Sequence, residues 1–202
     1  MIGIDPAHEY ELNRWYDEEH FPERMACPGF LNGRRYTAVE GAPKYLAIYD
    51  LETPAVLETD AYRQIAGRSP WTERLAEKFD PIVRNVYVEF RPPVTNGTRH
   101  TGDGLLLVAI DVDPRHEAEL NRWYDDEHIA ERMAIPGFLR ACRFVALEGR
   151  PRYLALYDLE SPAVLDSAAY RHAAGPAATP MTRRMQGLFN PMIRNVYVEI
   201  AG

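Results

Sequence analysis

Residues 5–30, DPAHEYELNRWYDEEHFPERMACPGF, return 108 positions later as residues 113–138, DPRHEAELNRWYDDEHIAERMAIPGF. The match runs on. YLAIYDLETPAVL from Tyr45 pairs with YLALYDLESPAVL from Tyr153, and IVRNVYVE from Ile82 meets MIRNVYVE from Met192 after a two-residue insertion near Ala177. About two-thirds of the paired positions are identical. The chain is one unit written twice, so both copies are expected to share one fold. Between them lies RPPVTNGTRHTGDG, Arg91 to Gly104, rich in Pro, Gly and Thr and without periodicity, which predicts a linker. The expected organisation is repeat one over 1–90, linker over 91–104 and repeat two over 105–202. Only MIGIDP precedes the first helix where LLLVAIDVDP precedes the second. The first strand of repeat one therefore reads as truncated, with a native start expected upstream of Met1, since a missing edge leaves apolar surface uncovered.

Within each copy, apolar periodicity sets the elements. Leu105–Val112 is a short β-branched run and predicts a buried strand. Asp113-Pro114, like Asp5-Pro6, supplies a capping carboxylate followed by proline at the first helical position. The helix carries Leu120, Trp123, Tyr124, Glu127 and His128 at i, i+3, i+4, i+7 and i+8. It is expected to stop near Pro136-Gly137, and earlier in copy one, at Pro22. Strands over 139–147 and 152–159 flank a turn at Glu148-Gly149-Arg150-Pro151. A helix from Ser161-Pro162 towards Gly175, a further short helix and a strand over 192–200 complete the order β-α-β-β-α-β, the ferredoxin-like arrangement. Strand Tyr45–Leu51 is apolar on both faces, so cover is expected on both. The fold class expected is α+β: two tandem ferredoxin-like repeats packed sheet to sheet as an intrachain pseudo-twofold α+β barrel.

Composition narrows the partners. The chain has 202 residues, 23 Lys+Arg against 30 Asp+Glu and a net charge of −7, with 46% apolar and 26% charged residues. That balance is ordinary for a globular protein and argues against disorder. An acidic chain without a basic cluster is ill suited to nucleic acid. No apolar run approaches the ~20 residues of a membrane span, and the N-terminus lacks the basic and apolar regions of a signal peptide. Cys27 and Cys142 make neither a disulfide framework nor a zinc site. A cytoplasmic protein with a small-molecule ligand is expected, with further homodimerisation open.

The helical stripe carries the strongest chemical signal. At about 100° per residue, Trp15 stands above Glu19 and Tyr16 above His20, as do Trp123 over Glu127 and Tyr124 over His128. An inward stripe that ends in a carboxylate and an imidazole predicts an acid/base pair at a cleft, the imidazole titrating near neutral pH. The alternative is that His20 and His128 only cap the last carbonyls of their helices. Trp15 and Trp123 are either core or substrate-facing. Glu19 and Glu127 either orient the histidines or face solvent. Tyr45, Tyr49, Tyr87, Tyr153, Tyr157 and Tyr197 can wall an aromatic pocket or simply pack the sheet, and Asn85 and Asn195 share faces with Tyr87 and Tyr197. Arg35 and Arg143, mid-strand, either bind a substrate carboxylate or point outward over apolar surface. Asp17/His20 and Asp125/His128 have the i, i+3 spacing of di-metal helical bundles, but the motif runs into Pro-Gly-Phe and strands, so no metal is expected. His8 and His116 are expected to face solvent. No nucleophilic-serine, phosphate-loop, dinucleotide or C-x-x-C motif occurs.

A strand, a helix bearing W-Y-x-x-E-H and P-G-F leading into a hairpin resemble the dimeric α+β barrel superfamily, nearest to its EthD-like branch. The resemblance covers both copies, and members usually build the barrel from two chains. It implies a small-molecule protein, with His20 and His128 matching a pocket histidine at this helix end. Members include cofactor-free isomerases, decarboxylases, dehydrohalogenases and quinone-forming monooxygenases, as well as haem-binding branches. The function expected is cofactor-independent acid/base chemistry, of isomerase, lyase or cyclase type, on a small aromatic or unsaturated carbonyl compound. His20 and His128 would act with Glu19 and Glu127; Trp15, Tyr16, Trp123, Tyr124 and the strand tyrosines would wall the pocket. The alternatives are a haem-binding or oxygenase-type protein with an axial histidine, and a non-catalytic binding protein.

Overall fold

A computed structural model describes residues 1–66, 69–96, 102–175 and 177–200. The chain divides into two compact units: Met1–Ala38 with Ala42–Arg84 and the residues from Glu199, and Val39–Gly41 with Asn85–Val198.

In the first unit β1 (Ile2–Ile4) leads to α1 (Glu9–Trp15), a π-helical turn over Tyr16–His20 and α2 (Phe21–Ala26). Asp5 accepts from the Ala7 amide at 2.8 Å and Pro6 takes the first helical position, the expected capping. Pro22 does not end the helix as expected. It falls in the first turn of α2, where a missing N–H breaks no helical hydrogen bond. Next come β2 (Phe30–Glu40), β3 (Tyr45–Leu51), α3 (Asp60–Ile65), α4 (Pro70–Ala76) and β4 (Phe79–Ile82). The strand order is β4-β1-β3-β2 with antiparallel neighbours.

The second unit opens with β5 (Val86–Thr95) and continues with β6 (Gly104–Ile110), α5 (Glu117–Trp123), a π turn over Tyr124–His128 and α6 (Ile129–Met133). Then follow β7 (Phe138–Glu148), β8 (Tyr153–Leu159), α7 (Ala168–Ala174), α8 (Pro180–Gln186) and β9 (Met192–Glu199). The order β9-β6-β8-β7-β5 is antiparallel throughout. Both units are α+β and ferredoxin-like. In each, the last strand of the βαββαβ motif pairs with the first.

One element departs from the expected layout. The repeat predicts that repeat one closes with a strand matching Met192 onward. Instead β4 takes the closing position, and β5 clusters with the second unit, paired to β7 with Val88 opposite Val145. Arg91–Thr95, expected in the linker, continue β5, where the β7 edge offers backbone partners that a linker lacks. Residues 97–101 of that stretch lie outside the described residues. The helix expected from Ser161 to Gly175 is a short 3-10 turn, Pro162–Asp166, and then α7, restarted by Ser167 accepting from the Tyr170 amide. Among the described residues no helix is long and apolar enough to cross a membrane.

Candidate functional site

The π turns set the chemistry. The Ile129 amide reaches back five residues to the Tyr124 carbonyl, and Phe21 does the same to Tyr16. The extra residue in the turn brings His128 beneath Trp123, with ring centroids 4.1 Å apart, and His20 beneath Trp15 at 4.2 Å. Tyr124 and Tyr16 meet the same imidazoles edge-on at 5.1 Å. Single π turns inside α-helices recur at functional sites.

Glu127 and Glu19 do not orient the histidines. Oε1 of Glu127 accepts from Trp123 Nε1 (3.2 Å), Thr179 Oγ1 (2.5 Å) and Thr182 Oγ1 (2.8 Å). Glu19 Oε1 accepts from Trp15 Nε1 (3.1 Å), Ser69 Oγ (2.5 Å) and Thr72 Oγ1 (3.0 Å). The π turn rotates each carboxylate towards the start of α8 or α4, so it fastens that helix to the turn.

Arg143 and Arg35 are buried, not outward. Arg143, 4% exposed, donates to Asp125 Oδ1 and Asn121 Oδ1, both at 2.7 Å, and lies 4.1 Å over the Tyr124 ring. Arg35 is held by Asp17 (2.6 Å) and Asn13 (2.8 Å) over Tyr16. With both terminal nitrogens engaged, this clamp is structural, and it occupies the aspartates of the metal-like spacing. No cluster of three or more potential metal ligands occurs among the described residues.

Inside the second unit a cavity of about 350 Å³ lies between helices and sheet. Leu106, Val108 and Ile110 line it from β6, and Trp123, Tyr124 and His128 from the π turn. Arg132, Tyr157, Tyr170 and Phe189 close much of the remainder. Its size falls within the range of ligand pockets, at the lower end. His128 Nδ1 is buried and has no hydrogen-bond partner, which leaves Nε2 as the nitrogen open to a ligand. Burial, and then the charges of Arg132 and Arg143, push the His128 pKa well below 6.5. The same causes, with Arg24 and Arg35, lower His20 to about 3. The expected titration near neutral pH is thereby corrected: both imidazoles are neutral there. An orphaned buried N–H is rarer than an orphaned acceptor, so the proton of His128 is assigned to Nε2. Burial also raises Tyr124 to about 12, and raises Tyr157, whose hydroxyl interacts with that of Tyr124. The cavity wall therefore offers neutral donors.

No family model and no curated protein matches the sequence. Solved structures do match. An anthrone oxidase-like protein superposes with a TM-score of 0.70 at 15% identity, covering 98% of this chain and 88% of that one. A candidate monooxygenase from Fusobacterium nucleatum gives 0.61 at 6% identity, covering 99% and 89%. A ferredoxin-fold protein related to antibiotic biosynthesis monooxygenases, from Listeria monocytogenes, gives 0.52 at 8% identity, covering 100% and 92%. The likeness is one of fold.

The remaining expected pocket residues divide. Tyr157 reaches the cavity; in the first unit Tyr49 stands 6.3 Å from the His20 ring, its hydroxyl buried and unpartnered. Tyr153 donates to Glu117 Oε2 at 3.0 Å, and Tyr45 is core with Lys44 over its ring. Neither Asn85 and Tyr87 nor Asn195 and Tyr197 border the cavity. Asn85 donates to Tyr87 Oη (3.0 Å) and the Arg150 carbonyl (2.9 Å), clasping the β7–β8 turn, while Asn195 donates to Tyr197 Oη at 2.8 Å. Sequence reasoning missed Arg132, Tyr170 and Phe189. A repeat comparison holds the only signal, since Arg24, Tyr62 and Phe79 recur at their offsets.

Proposed function

We propose that the second unit is a cofactor-independent enzyme that moves protons on a small planar aromatic or unsaturated carbonyl compound, by isomerase, lyase or cyclase-type chemistry. The observation that supports it is a neutral imidazole, His128, open at Nε2 in an aromatic-walled cavity. The carbonyl oxygen of a ligand would accept from Nε2–H. As a C–H proton leaves for solvent and negative charge grows on that oxygen, the hydrogen bond strengthens. A neutral imidazole can play this part because its lowered pKa keeps it a donor without a formal charge. His128 is then an acid, and Trp123, Tyr124 and Tyr157 hold the ring of the ligand. The repeat itself is read as a duplication, and a cytoplasmic setting accords with Cys27 and Cys142, which are buried and form no disulfide.

An oxygenase of the cofactor-free kind is the second reading, favoured by the fold likeness to the anthrone oxidase-like protein and the candidate monooxygenase. The same enolate would then meet dioxygen. With anthrone, the ring methylene loses two hydrogens as one water and keeps one oxygen atom as a new carbonyl.

Anthrone in deuterated buffer tests both. The protein should accelerate deuterium entry at the ring methylene, and His128→Phe, which keeps the ring stack and removes the N–H, should lose about 10²–10³-fold. Exchange without oxygen uptake marks proton chemistry alone; exchange with stoichiometric uptake marks the oxygenase. Equal rates for the wild type, the variant and buffer would overturn the assignment.

A further inference from the structure

The second unit buries two guanidinium groups and satisfies them differently. Arg143 has carboxylate and amide oxygens on Nη1 and Nη2, both at 2.7 Å. Arg132, 5% exposed on α6, lines the cavity, yet its Nη1 is buried with no hydrogen-bond partner. Its ring contact is Tyr170, 5.5 Å from Cζ to the centroid. No ion pair to Arg132 forms among the described residues. Oε1 of Glu127, one turn back, is engaged by Trp123, Thr179 and Thr182. In the first unit the corresponding Arg24 places Nη1 3.3 Å from the Ile65 carbonyl.

Glu131 lends Arg132 a Coulombic neighbour but no direct bond, and a buried guanidinium nitrogen with no hydrogen-bond partner is costly in a protein interior. The rest of the cavity lining is mostly apolar or aromatic, with His128 and Gln186 as neutral polar groups, and the other lining cation, Arg194, is paired with Glu40. A guanidinium fork matches the two oxygens of a carboxylate, and a charge-assisted bond of this kind strengthens where water is excluded.

We propose that the cavity takes a planar aromatic carboxylate, and that Arg132 is its anchor. The ligand carboxylate supplies the direct partner that Nη1 lacks, while the aromatic frame lies among Trp123, Tyr157 and Phe189. This deepens the reading of the cavity as a small-molecule site and rests on it, but it does not depend on proton transfer at His128.

Binding of 2-naphthoate and of its neutral isostere 2-naphthamide, measured by calorimetry on the whole chain at pH ~8, where the acid is ionised, tests the proposal. The wild type should bind naphthoate about 10–100-fold more tightly than the amide. Arg132→Gln should abolish that preference while keeping the affinity for the amide, and Arg132→Lys should restore part of it. Equal affinities in the wild type, or a preference for the amide, overturn the anionic inference and leave the aromatic cavity standing. Failure of both probes to bind overturns the inference and the cavity reading together. The wild-type pair decides even if Arg132→Gln does not fold.

Discussion

The rings of Trp123 and His128, five residues apart in sequence, lie with centroids 4.1 Å apart and tilted by 32°. A regular α-helix would set them about 140° apart around its axis; the π turn over Tyr124–His128 brings them together. Trp123 is fixed from the other side, its Nε1 donating to Thr182 Oγ1 at 3.0 Å and to Glu127. Trp123→Phe should keep the stack, remove the donor and destabilise the protein by about 1–3 kcal/mol, read as a lower urea midpoint with an unchanged slope. An unchanged midpoint would show that the π turn needs no such fastening.

Acid should weaken the protein before its carboxylates titrate. The folded state holds His20 at about 3 and His128 well below 6.5, whereas an unfolded histidine sits near 6.5. Between these values the unfolded chain binds more protons, so the histidine contribution to stability rises with pH across the window and levels off above ~6.5, where only the buried Met1 amine, lowered to about 6, still adds to the rise. The slope approaches ~1.4 kcal/mol per pH unit for each histidine. Urea midpoints should therefore fall between about pH 7 and pH 5.5, and a His20→Gln/His128→Gln variant should show a flatter profile. A level wild-type profile contradicts the buried neutral imidazoles.

Asp125→Ala would strand the Arg143 guanidinium. A fully buried pair loses ~3–5 kcal/mol when one partner goes. Asp125 is one-third exposed, at 33%, and Asn121 remains on Nη2, so a loss of about 2–3 kcal/mol is expected. Thermal unfolding reads it. A change below ~0.5 kcal/mol would place the clamp among ordinary surface pairs.

Gly149 has φ +87°, and a Cβ there would meet Asn85 Oδ1 at 2.0 Å. Gly149→Ala should cost at least ~1–2 kcal/mol from the backbone alone. Asn85→Ala/Gly149→Ala together should recover the steric part. Additive losses in the double variant would show that the Asn85 clasp does not confine this turn.

The ferredoxin-like order was readable because each strand and helix carries its own apolar period and its own Asp-Pro or Ser-Pro start, all present twice. The placement of β5 was not, because Val86–Thr95 is equally apolar whichever edge it joins, and pairing is a long-range choice. At the site, Trp123, Tyr124 and His128 were visible as a stripe. The fastening of Glu127 to Trp123, Thr179 and Thr182 was not legible, because a regular 3.6-residue period does not reveal a π turn. Arg132 was invisible for a different reason: a basic residue near a helix end ordinarily faces water, and only its neighbours bury it.

His128 is a neutral imidazole with a sealed Nδ1 and its proton on Nε2. Nitrogen-15 NMR of the histidine side chains across about pH 7.5 to 5 measures this directly. The expected result is a neutral imidazole at pH 7, with shifts of the Nε2–H tautomer and any midpoint well below 6.5. A midpoint near 6.5, or a proton on Nδ1, would contradict it.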